Sequence, residues 1–526
     1  MEFHWWQTGV IYQIYPRSFM DSNGDGIGDL EGIYQRLDYL QWLGIDCIWI
    51  SPIYPSPMKD FGYDVAHYTD IEPIFGDMVI FDRLLEAAHN RGIKLILDWV
   101  PNHTSDEHPW FIESRSSRDN PKRDWYIWKD APENGDLPNN WLSFFGGPTW
   151  TWDEKTQQYY LHLFHPGQPD LNWRNPEVRA AMYDTLRFWL DKGVDGFRMD
   201  VISFLMKDAR FRDNPMIASE TQSASHYDNV YNIHRPDIHP VLQEIRSVID
   251  EYTDRVSIGE IYLRPRSHWV RFYGQELDEL HMPFNFDLLE QRWNATDMRM
   301  SVEILEASLP PGAWPNYVLG NHDQPRIASR FGDDAVRVAG MMLLTLRGAP
   351  TMYMGEELGM PNGFVPVDRI VDPPGLQLGP EHSRDGCRTP FQWSADDFAG
   401  FSTVEPWLPV GETFQERNME TEKDDPQSVL NLYHRLLEER HNTPALNRGM
   451  YVGVNHVPVN TFVYIREWEG ERRLIALNFL DIEQSISVEH IAKEGEIILS
   501  TELDREGMVS LEDLVLRPNE GLLIKL

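Results

Sequence analysis

Eight short apolar runs, separated by longer segments with apolar residues at helical spacing, constrain the fold of this chain more than any other feature. The apolar runs cover residues 10–15, 47–51, 93–99, 195–199, 256–261, 280–284, 317–319 and 351–354. Helical spacing is clearest at residues 30–43, 81–91, 176–192 and 429–439. Strands that alternate with helices form βαβ units around a parallel sheet. Eight such units predict an α/β fold, the (β/α)8 or TIM barrel.

Two stretches interrupt this alternation. Residues 104–172 are rich in Pro, Gly, Asn, Asp and Trp, and they are too many for a plain loop in a compact domain. We predict a small inserted domain there, after the third strand, between barrel segments 1–103 and 173–448. A second excursion, rich in Pro, Gly and Asp, covers residues 362–415, after the eighth strand.

The C-terminal part of the chain has a different character. Strand-like runs joined by turns replace the alternation of strands and helices, at residues 461–466, 473–478 and 496–499. We therefore predict that residues 449–526 form a separate antiparallel β-sandwich.

The charge of the chain excludes several classes of partner. Its 526 residues include 83 Asp and Glu but only 47 Lys and Arg, which gives a formal net charge of −36. Nucleic acids and anionic membranes are bound through cationic side chains, so neither is an expected partner. The first residues resemble no signal peptide, no apolar run spans a membrane, and two cysteines make no disulfide framework. These features favour a cytoplasmic protein whose partner is a small molecule.

Acidic residues stand at the ends of four predicted strands, where barrel enzymes place their active sites. Asp98 belongs to the third strand, Asp200 follows the fourth, Glu260 the fifth and Asp323 the seventh. Burying carboxylates together is costly unless they are paired or used. Glycoside hydrolysis needs one carboxyl group as general acid and another as nucleophile or base. The four acids together therefore predict a glycosidase.

Glu356 and Glu357 compete for the same roles, because they follow the eighth strand. Glu260 is favoured over both because its strand directly follows that of Asp200. A retaining pair of carboxyl groups must lie only about 5–5.5 Å apart.

Four segments resemble, in order and spacing, the signature regions of the α-amylase family, glycoside hydrolase family 13. They are DWVPNH at residues 98–103, GFRMD at 196–200, GE at 259–260 and NHD at 321–323. A fifth segment, QPDLN at 168–172, is similar to that of the bacterial oligo-1,6-glucosidase and α-glucosidase group. The resemblance implies a retaining, exo-acting α-glucosidase that releases terminal glucose from the non-reducing end of short α-glucosides.

The resemblance also implies a role for each matching residue. Asp200 is expected to be the nucleophile that forms a covalent glucosyl intermediate. Glu260 is expected to be the general acid and then the base, and Asp323 the stabiliser of the transition state. Asp98, His103 and His322 are expected to bind the terminal sugar, and Arg198, at the same substrate site, is expected to orient and hold ionised Asp200.

Exo-action is implied by the segment KDFGYD at residues 59–64. In the resembled glucosidases, residues matching Asp60 and Tyr63 close the pocket around the terminal glucose. An arginine of RDGCRTP at residues 384–390 pairs with the aspartate, and we predict Arg388 rather than Arg384 for this pairing. Such a pair walls off the site, so that one glucose is removed at a time.

The segment DSNGDGIGD at residues 21–29 has oxygen-bearing residues at alternate positions, like the start of a calcium loop. It is no EF-hand, because Gly32 stands where the terminal Glu is required. The resemblance implies a structural Ca²⁺ or Mg²⁺ here and no organic cofactor. A cluster of Asx turns without metal is the alternative. The expected ligands are Asp21, Asn23, Asp25, Ile27 and Asp29.

The linkage that the enzyme cleaves is less strongly indicated. Val201 follows the nucleophile, and in the resembled enzymes valine accompanies α-1,6 preference. GEIYL at residues 259–263 instead resembles α-1,4-active relatives. We predict maltose-type α-1,4 substrates, some α-1,6 activity, and transglucosylation at high sugar concentration.

The alternatives on the same scaffold are an oligo-1,6-glucosidase and enzymes active on sucrose or trehalose 6-phosphate. The last of these would need a basic phosphate site. A non-catalytic carbohydrate-binding relative is disfavoured because the three acids with expected catalytic roles, Asp200, Glu260 and Asp323, are all present.

Overall fold

The computed structural model describes residues 3–133, 135–217 and 227–526. Its centre is an eight-stranded parallel sheet rolled into a barrel. Strands are numbered along the whole chain, and those of the barrel are β1 (Ile11–Ile14), β2 (Cys47–Ile50), β3 (Lys94–Trp99), β7 (Gly196–Met199), β8 (Val256–Gly259), β9 (Met282–Pro283), β10 (Asn316–Val318) and β11 (Ala349–Tyr353). Their order in the sheet is β10-β11-β1-β2-β3-β7-β8-β9. All eight predicted strands are present, which confirms the barrel.

Most helices of the described residues lie in the segments between barrel strands, and the others lie before the first strand, in the insert and after the eighth strand. The helices are α1 (Trp5–Thr8), α2 (Leu30–Gln35), α3 (Leu37–Leu43), α4 (Met78–Asn90), α5 (Pro109–Ser114), α6 (Pro176–Asp191), α7 (His239–Ile249), α8 (Arg266–Trp269), α9 (Asp287–Glu290), α10 (Ala295–Ser308), α11 (Ile327–Phe331), α12 (Val336–Thr345), α13 (Pro373–Leu378), α14 (Met419–Asp424), α15 (Val429–Asn442) and α16 (Pro444–Asn447). Within the described ranges, no helix is long and apolar enough to cross a membrane.

Two helices differ from their predicted extent for local reasons. The helix predicted over residues 30–43 is divided into α2 and α3, because Arg36 has φ −103° and ψ 7°, outside the helical region. Helix α4 begins three residues earlier than predicted. The side chain of Asp77 caps it by accepting a hydrogen bond from the Ile80 amide.

A small antiparallel sheet lies inside the predicted insert. It consists of β4 (Trp128–Lys129), β5 (Trp150–Asp153) and β6 (Gln158–Leu161), in the order β4-β6-β5. The apolar cluster beneath it contains Trp150 and Leu161, and it also includes Val201 and Phe204 of the loop after β7. The insert therefore packs against the segment that follows the predicted nucleophile.

The C-terminal strands form two antiparallel sheets, as predicted. They are β12 (Met450–Gly453), β13 (Thr461–Trp468), β14 (Glu471–Asn478), β15 (Gln484–Ile486), β16 (Glu494–Ser500), β17 (Gly507–Ser510), β18 (Leu514–Leu516) and β19 (Gly521–Lys525). Six of them make one sheet, in the order β12-β13-β14-β19-β16-β17, and β15 pairs with β18. One buried cluster contains Val463 and Ile524 of the larger sheet and Ile486 and Leu514 of the smaller one.

Candidate active site

The register of the barrel brings the predicted site residues to one end. Asp98 of β3 and Arg198 of β7 are direct partners in the parallel ladder. The ladder continues past the strands, since the Asp200 amide donates to the Trp99 carbonyl at 2.8 Å and the Glu260 amide to the Met199 carbonyl at 2.9 Å. Asp200 and Glu260 are thus held by backbone hydrogen bonds at adjacent strand ends.

Arg198 is the centre of a buried cluster of carboxyl groups. Its Nη1 lies 2.9 Å from Oδ1 of Asp98 and 2.7 Å from Oδ1 of Asp200. Its Nη2 lies 2.6 Å from Oε2 of Glu260. The Arg198 side chain is 3% exposed, so water screens these contacts little. One guanidinium group thereby fixes the positions of three carboxyl groups.

Val201 links the two acids through its backbone. Its amide donates a hydrogen bond to Oε2 of Glu260 at 2.9 Å, directly after the nucleophile position. Its φ of 35° lies in the left-handed region, which a β-branched residue rarely adopts. Such strain costs on the order of 1–3 kcal/mol and is typical of functional sites. Here the strained conformation belongs to the turn that directs the Val201 amide towards Glu260.

The cluster holds more negative charge than its single arginine neutralises. Burial raises the pKa of Asp98 to about 6, although Arg198 and a hydrogen bond from Tyr63 oppose this rise. Burial also raises the pKa of Asp200, against the opposing charge of Arg198. Three adjacent carboxyl groups beside one cation favour a state that retains a proton. A nucleophilic Asp200 must be ionised, and the adjacent charge of Arg198 favours that form against the effect of burial.

Asp323 has the opposite environment. Its Oδ1 accepts hydrogen bonds from Arg384 and from Arg388, each at 2.9 Å. Burial acts to raise the pKa of Asp323, but His322 and the two arginines outweigh it and hold that pKa below the ordinary value. Burial lowers the pKa of His322 to about 3, so the arginines are the cations at neutral pH. Asp323 is therefore ionised.

Tyr63 and His322 form one wall of the site. Their rings stack with centroids 5.3 Å apart, and the Tyr63 hydroxyl lies 2.8 Å from Nε2 of His322. The same hydroxyl donates to Oδ2 of Asp98 at 3.0 Å. His103 lies next to them, with Nε2 3.0 Å from the Tyr63 carbonyl and 3.2 Å from Nε2 of Gln168.

The prediction that Arg388 pairs with Asp60 is wrong. Nη2 of Arg384 donates to Oδ1 of Asp60 at 3.0 Å. Arg388 is 1% exposed and lies beneath the site, where its Nε donates to the His322 carbonyl at 2.8 Å. Buried Asp372 lies between the two arginines. Its carboxylate accepts hydrogen bonds from the amide and the guanidinium of Arg384 at 2.7–3.2 Å and from Nη1 of Arg388 at 3.4 Å.

Most of the residues described above line one small cavity of about 80 Å³. Its wall consists of Asp60, Tyr63, His103, Phe145, Phe164, Asp200, Val201, Glu260, His322, Asp323 and Arg384. Asp98 and Arg198 lie behind this wall, which they support through the hydrogen bonds described above. The pocket thus brings together the residues predicted for the glycone site, with Arg384 in place of Arg388.

Four residues of the site were not predicted. Phe145 and Phe164 line the pocket, Asp372 anchors Arg384, and Gln13 contacts Nδ1 of His322 at 2.7 Å. Phe145 and Phe164 belong to the Trp-rich insert, whose composition could have drawn attention to its aromatic residues. Asp372 and Gln13 gave no signal, because only the fold brings them to their partners.

The competing acids Glu356 and Glu357 do not line the pocket. Glu357 accepts hydrogen bonds from the hydroxyl of Tyr12 on β1 at 2.6 Å and from that of Tyr39 on α3 at 2.8 Å. Burial raises the pKa of Glu356 to about 8. The geometry favours Glu260 as the partner of Asp200.

The predicted metal loop is a series of Asx turns with an all-oxygen donor set. Oδ1 of Asp21 accepts from the Gly24 amide at 2.8 Å, and Oδ1 of Asp25 accepts from the Ile27 amide at 2.9 Å. Asp29 caps α2 through the Gly32 amide. No convergent group of three or more Asp, Glu, His or Cys side chains is found in the described part of the chain. Oδ1 of Asn23 likewise accepts from the Asp25 amide at 2.9 Å, and side-chain oxygens of this kind suit Ca²⁺ or Mg²⁺.

Known proteins resemble the chain over most or all of its length. It is 39% identical to an oligo-1,6-glucosidase of Parageobacillus thermoglucosidasius, with 100% of both chains covered. It is 43% identical to a probable alpha-glucosidase of Rhizobium meliloti (strain 1021), over 85% of this chain and 84% of the relative. The crystal structure of the alpha-glucosyl transfer enzyme XgtA superimposes with a TM-score of 0.94, at 40% identity and 100% coverage of both chains.

The family model described as "Alpha amylase, catalytic domain" matches residues 13–449, which include the insert, every acid of the site and all of the barrel except the first two residues of β1. By this match, and by its similarity to the relatives above, the chain belongs to the α-amylase family, glycoside hydrolase family 13.

Proposed function

We propose that this protein is a retaining α-glucosidase that releases single glucose units from the non-reducing ends of short α-glucosides. Asp200 attacks C1 of the terminal glucose while Glu260 donates a proton to the leaving oxygen. Water then attacks C1 of the glucosyl ester and gives its proton to Glu260, so that α-glucose leaves and Asp200 is regenerated.

The observation that carries this proposal is the contact of Arg198 with both acids. Its two terminal nitrogens hold Asp200 at 2.7 Å and Glu260 at 2.6 Å, so the carboxyl groups face one cavity from adjacent strand ends. An inverting enzyme needs wider separation, about 6.5–9.5 Å, to fit a water molecule. Two acids that share one guanidinium group favour the close spacing of a retaining pair.

The contact between Asp60 and Arg384 supports exo-action. The two side chains meet at 3.0 Å, both at the wall of the pocket, and Arg384 also binds Asp323. A glucan chain would have to displace this ion pair to pass through the site.

We propose α-1,4 glucosides such as maltose as the main substrates, with some α-1,6 activity and with transglucosylation at high sugar concentration. Val201 lines the pocket immediately beside both acids, so its side chain is placed to affect how the leaving sugar fits. Initial rates on maltose and isomaltose at equal concentration test this assignment. A large preference for isomaltose would replace it with an oligo-1,6-glucosidase.

We also propose that the loop of residues 21–29 binds Ca²⁺ or Mg²⁺. Asp21, Asn23, Asp25 and the carbonyl of Ile27 would hold the ion, which would stabilise the loop and take no part in catalysis. Hard cations with oxygen ligands fit this donor set. Asp29 would contribute while also capping α2.

An Asp200→Asn variant tests the catalytic assignment with a chromogenic α-glucoside. We expect turnover to fall by about 10⁴-fold or more, in the range seen when a catalytic nucleophile is removed. Asp184→Asn is the matched control, because Asp184 is an exposed aspartate of α6. NMR of the first glucose released should show the α-anomer. Initial β-glucose, or unchanged turnover of Asp200→Asn, would refute the proposed mechanism.

A further inference from the structure

A cavity of about 350 Å³ lies at the end of the barrel opposite to the catalytic pocket. Arg255 and His281, which line it, directly precede β8 and β9, whereas Glu260 directly follows β8. At roughly 3.3 Å per strand residue, Arg255 lies about 17 Å from Glu260. The two cavities share no lining residue. We call this second one the basal cavity.

The wall of the basal cavity combines an apolar part with a few polar groups. The apolar part consists of the rings of Trp6, Tyr252, Tyr273 and Trp314 and the side chains of Leu277 and Leu280. Cavities that bind small molecules have this composition and volumes of about 300–1,000 Å³. The polar groups of the wall therefore decide which class of molecule fits.

His281 supplies a hydrogen-bond donor without a partner. Its Nδ1 accepts a hydrogen bond from the Ser257 amide at 3.2 Å. Burial and the nearby charge of Arg246 lower the pKa of His281, so the ring is neutral at neutral pH. Because a neutral ring carries one proton, that proton is on Nε2. Among the described residues, no hydrogen bond to this Nε2 is found, although the side chain is only 9% exposed.

A carboxylate of the same wall lies close to this ring nitrogen. Oδ1 of Asp250 is 3.9 Å from Nε2 of His281, which is too long for a direct hydrogen bond. A hydroxyl group between the two atoms can accept from His281 and donate to Asp250 at once. An ionised carboxylate or phosphate oxygen only accepts, and an ammonium group only donates. The gap therefore selects a hydroxyl group.

The charged groups of the wall balance one another. Besides its histidines, the wall contains two arginines, Arg246 and Arg255, and two aspartates, Asp250 and Asp254. Asp250 accepts hydrogen bonds from Nε of Arg246 at 2.8 and 2.9 Å, and Arg255 lies 3.5 Å from buried Asp195. Because these charges are equal in number, an ionised ligand would leave its own charge uncompensated in the cavity. The wall suits an uncharged molecule.

We propose that the basal cavity binds a neutral saccharide, one hydroxyl group of which bridges His281 and Asp250. A sugar ring has hydroxyl groups that both donate and accept, and flat C–H faces that can pack against the aromatic rings of the wall. The site is separate from the catalytic pocket and does not depend on the chemistry of Asp200. Water alone in the gap is the alternative occupant.

Fluorine NMR of protein labelled with 5-fluorotryptophan tests this proposal. Trp6 lines the basal cavity, whereas the wall of the catalytic pocket contains no tryptophan. The spectrum of Trp6→Phe assigns the Trp6 resonance. We expect glucose to shift this resonance saturably, and gluconate, an ionised polyol of similar size, to bind about fivefold more weakly or less, because its charge finds no counter-ion. The absence of a saturable shift with glucose would leave water as the occupant and overturn the proposal, as would equal binding of gluconate.

Two matched variants locate the bridging hydroxyl group. Asp250→Ala removes the proposed acceptor, and Asp184→Ala removes an exposed aspartate of α6 that also pairs with an arginine. We expect Asp250→Ala to raise the Kd for glucose, measured from the Trp6 resonance, about fivefold or more, the order expected when a hydrogen bond to a charged group is lost. Asp184→Ala should bind glucose like the wild type. Equal Kd values for Asp250→Ala and the wild type would refute this site.

The result is independent of the proposed function. A protein that binds glucose in the basal cavity but hydrolyses no α-glucoside would contradict only the proposed function. A protein that hydrolyses maltose and shows no saturable shift of the Trp6 resonance would contradict only the assignment of the basal cavity.

Discussion

Arg384 donates a hydrogen bond from Nη2 to Oδ1 of Asp60 at 3.0 Å, at the wall of the catalytic pocket. The same guanidinium group donates from Nη1 to Asp323 at 2.9 Å, and Asp372 holds it from behind at 2.7 Å. One arginine therefore joins the residue that limits the pocket to the acid proposed to stabilise the transition state. Its removal should affect the closure of the pocket and the chemistry together.

The first prediction concerns the fork shape of this guanidinium group. In Arg384→Lys the charge remains, but one ammonium group cannot hold Asp60, Asp323 and Asp372 at once. We expect kcat/KM for maltose to fall by about 30-fold, which corresponds to about 2 kcal/mol. Arg369→Lys is the control, because Arg369 forms an exposed pair with Glu405 on the same excursion. Equal kinetics of the two variants would contradict the role of Arg384.

The second prediction concerns the pH dependence of activity. Burial raises the pKa values of Asp60 and Asp98 to about 6, and both residues must ionise to bind Arg384 and Arg198 fully. We expect kcat/KM, which reports the free enzyme, to rise with pH through an apparent pKa near 6. An acid limb near pH 4, the ordinary range of aspartate, would show that these carboxyl groups are not perturbed.

The third prediction follows from the same pKa shift of Asp60 and concerns stability. Asp60 binds its proton more tightly in the folded protein than in the unfolded chain, so protonated Asp60 stabilises the fold below pH 4. This contribution is lost as pH rises from about 4 to about 6. The total change is on the order of 3 kcal/mol. The free energy of unfolding of the wild type, measured relative to Asp60→Asn, should therefore fall over this range. A relative stability that rises with pH would show the opposite shift.

The fourth prediction concerns Val201 and linkage preference. Val201 lines the pocket and donates its amide to Glu260, so Val201→Thr changes the surface beside the reacting bond and keeps the size of the side chain. We expect the ratio of kcat/KM for maltose to that for isomaltose to rise about fivefold, within the range of such pocket changes. Val79→Thr changes an exposed side chain of α4 and should leave the ratio of the two kcat/KM values unchanged. An unchanged ratio in Val201→Thr would place the linkage preference elsewhere.

The fifth prediction concerns the proposed cation in the loop of residues 21–29. Adding Ca²⁺ to chelator-treated protein should raise the Tm by several degrees, because a ligand that binds only the folded state stabilises it. Asp25 is exposed, and Asp25→Ala should abolish this shift and leave the fold intact. Exposed Asp82→Ala serves as the control for lost surface charge. A wild-type Tm that is insensitive to Ca²⁺ and Mg²⁺ would favour a loop of Asx turns alone.

The sequence predicted the barrel well because each strand carries its own signal. All eight apolar runs form the expected strands, although β9 is reduced to Met282–Pro283. The helix predicted over residues 30–43 is divided at Arg36, because apolar spacing does not report a local change in backbone dihedrals. Helix α4 begins earlier than predicted for a local reason as well, because the Asp77 side chain caps it at Met78.

The sequence predicted Asp200 and Glu260 at neighbouring strand ends, whereas the contact of Arg198 with Glu260 was found only in the structure. Each acid directly follows a strand, and parallel strands in register bring their ends together. The choice between Arg384 and Arg388 was decided by the tertiary structure. Both residues lie in one short segment of similar composition, and only the path of the excursion brings buried Asp372 behind Arg384 and the His322 carbonyl over Arg388. Contacts made by a long excursion depend on the whole packed surface beneath it, which no local pattern records.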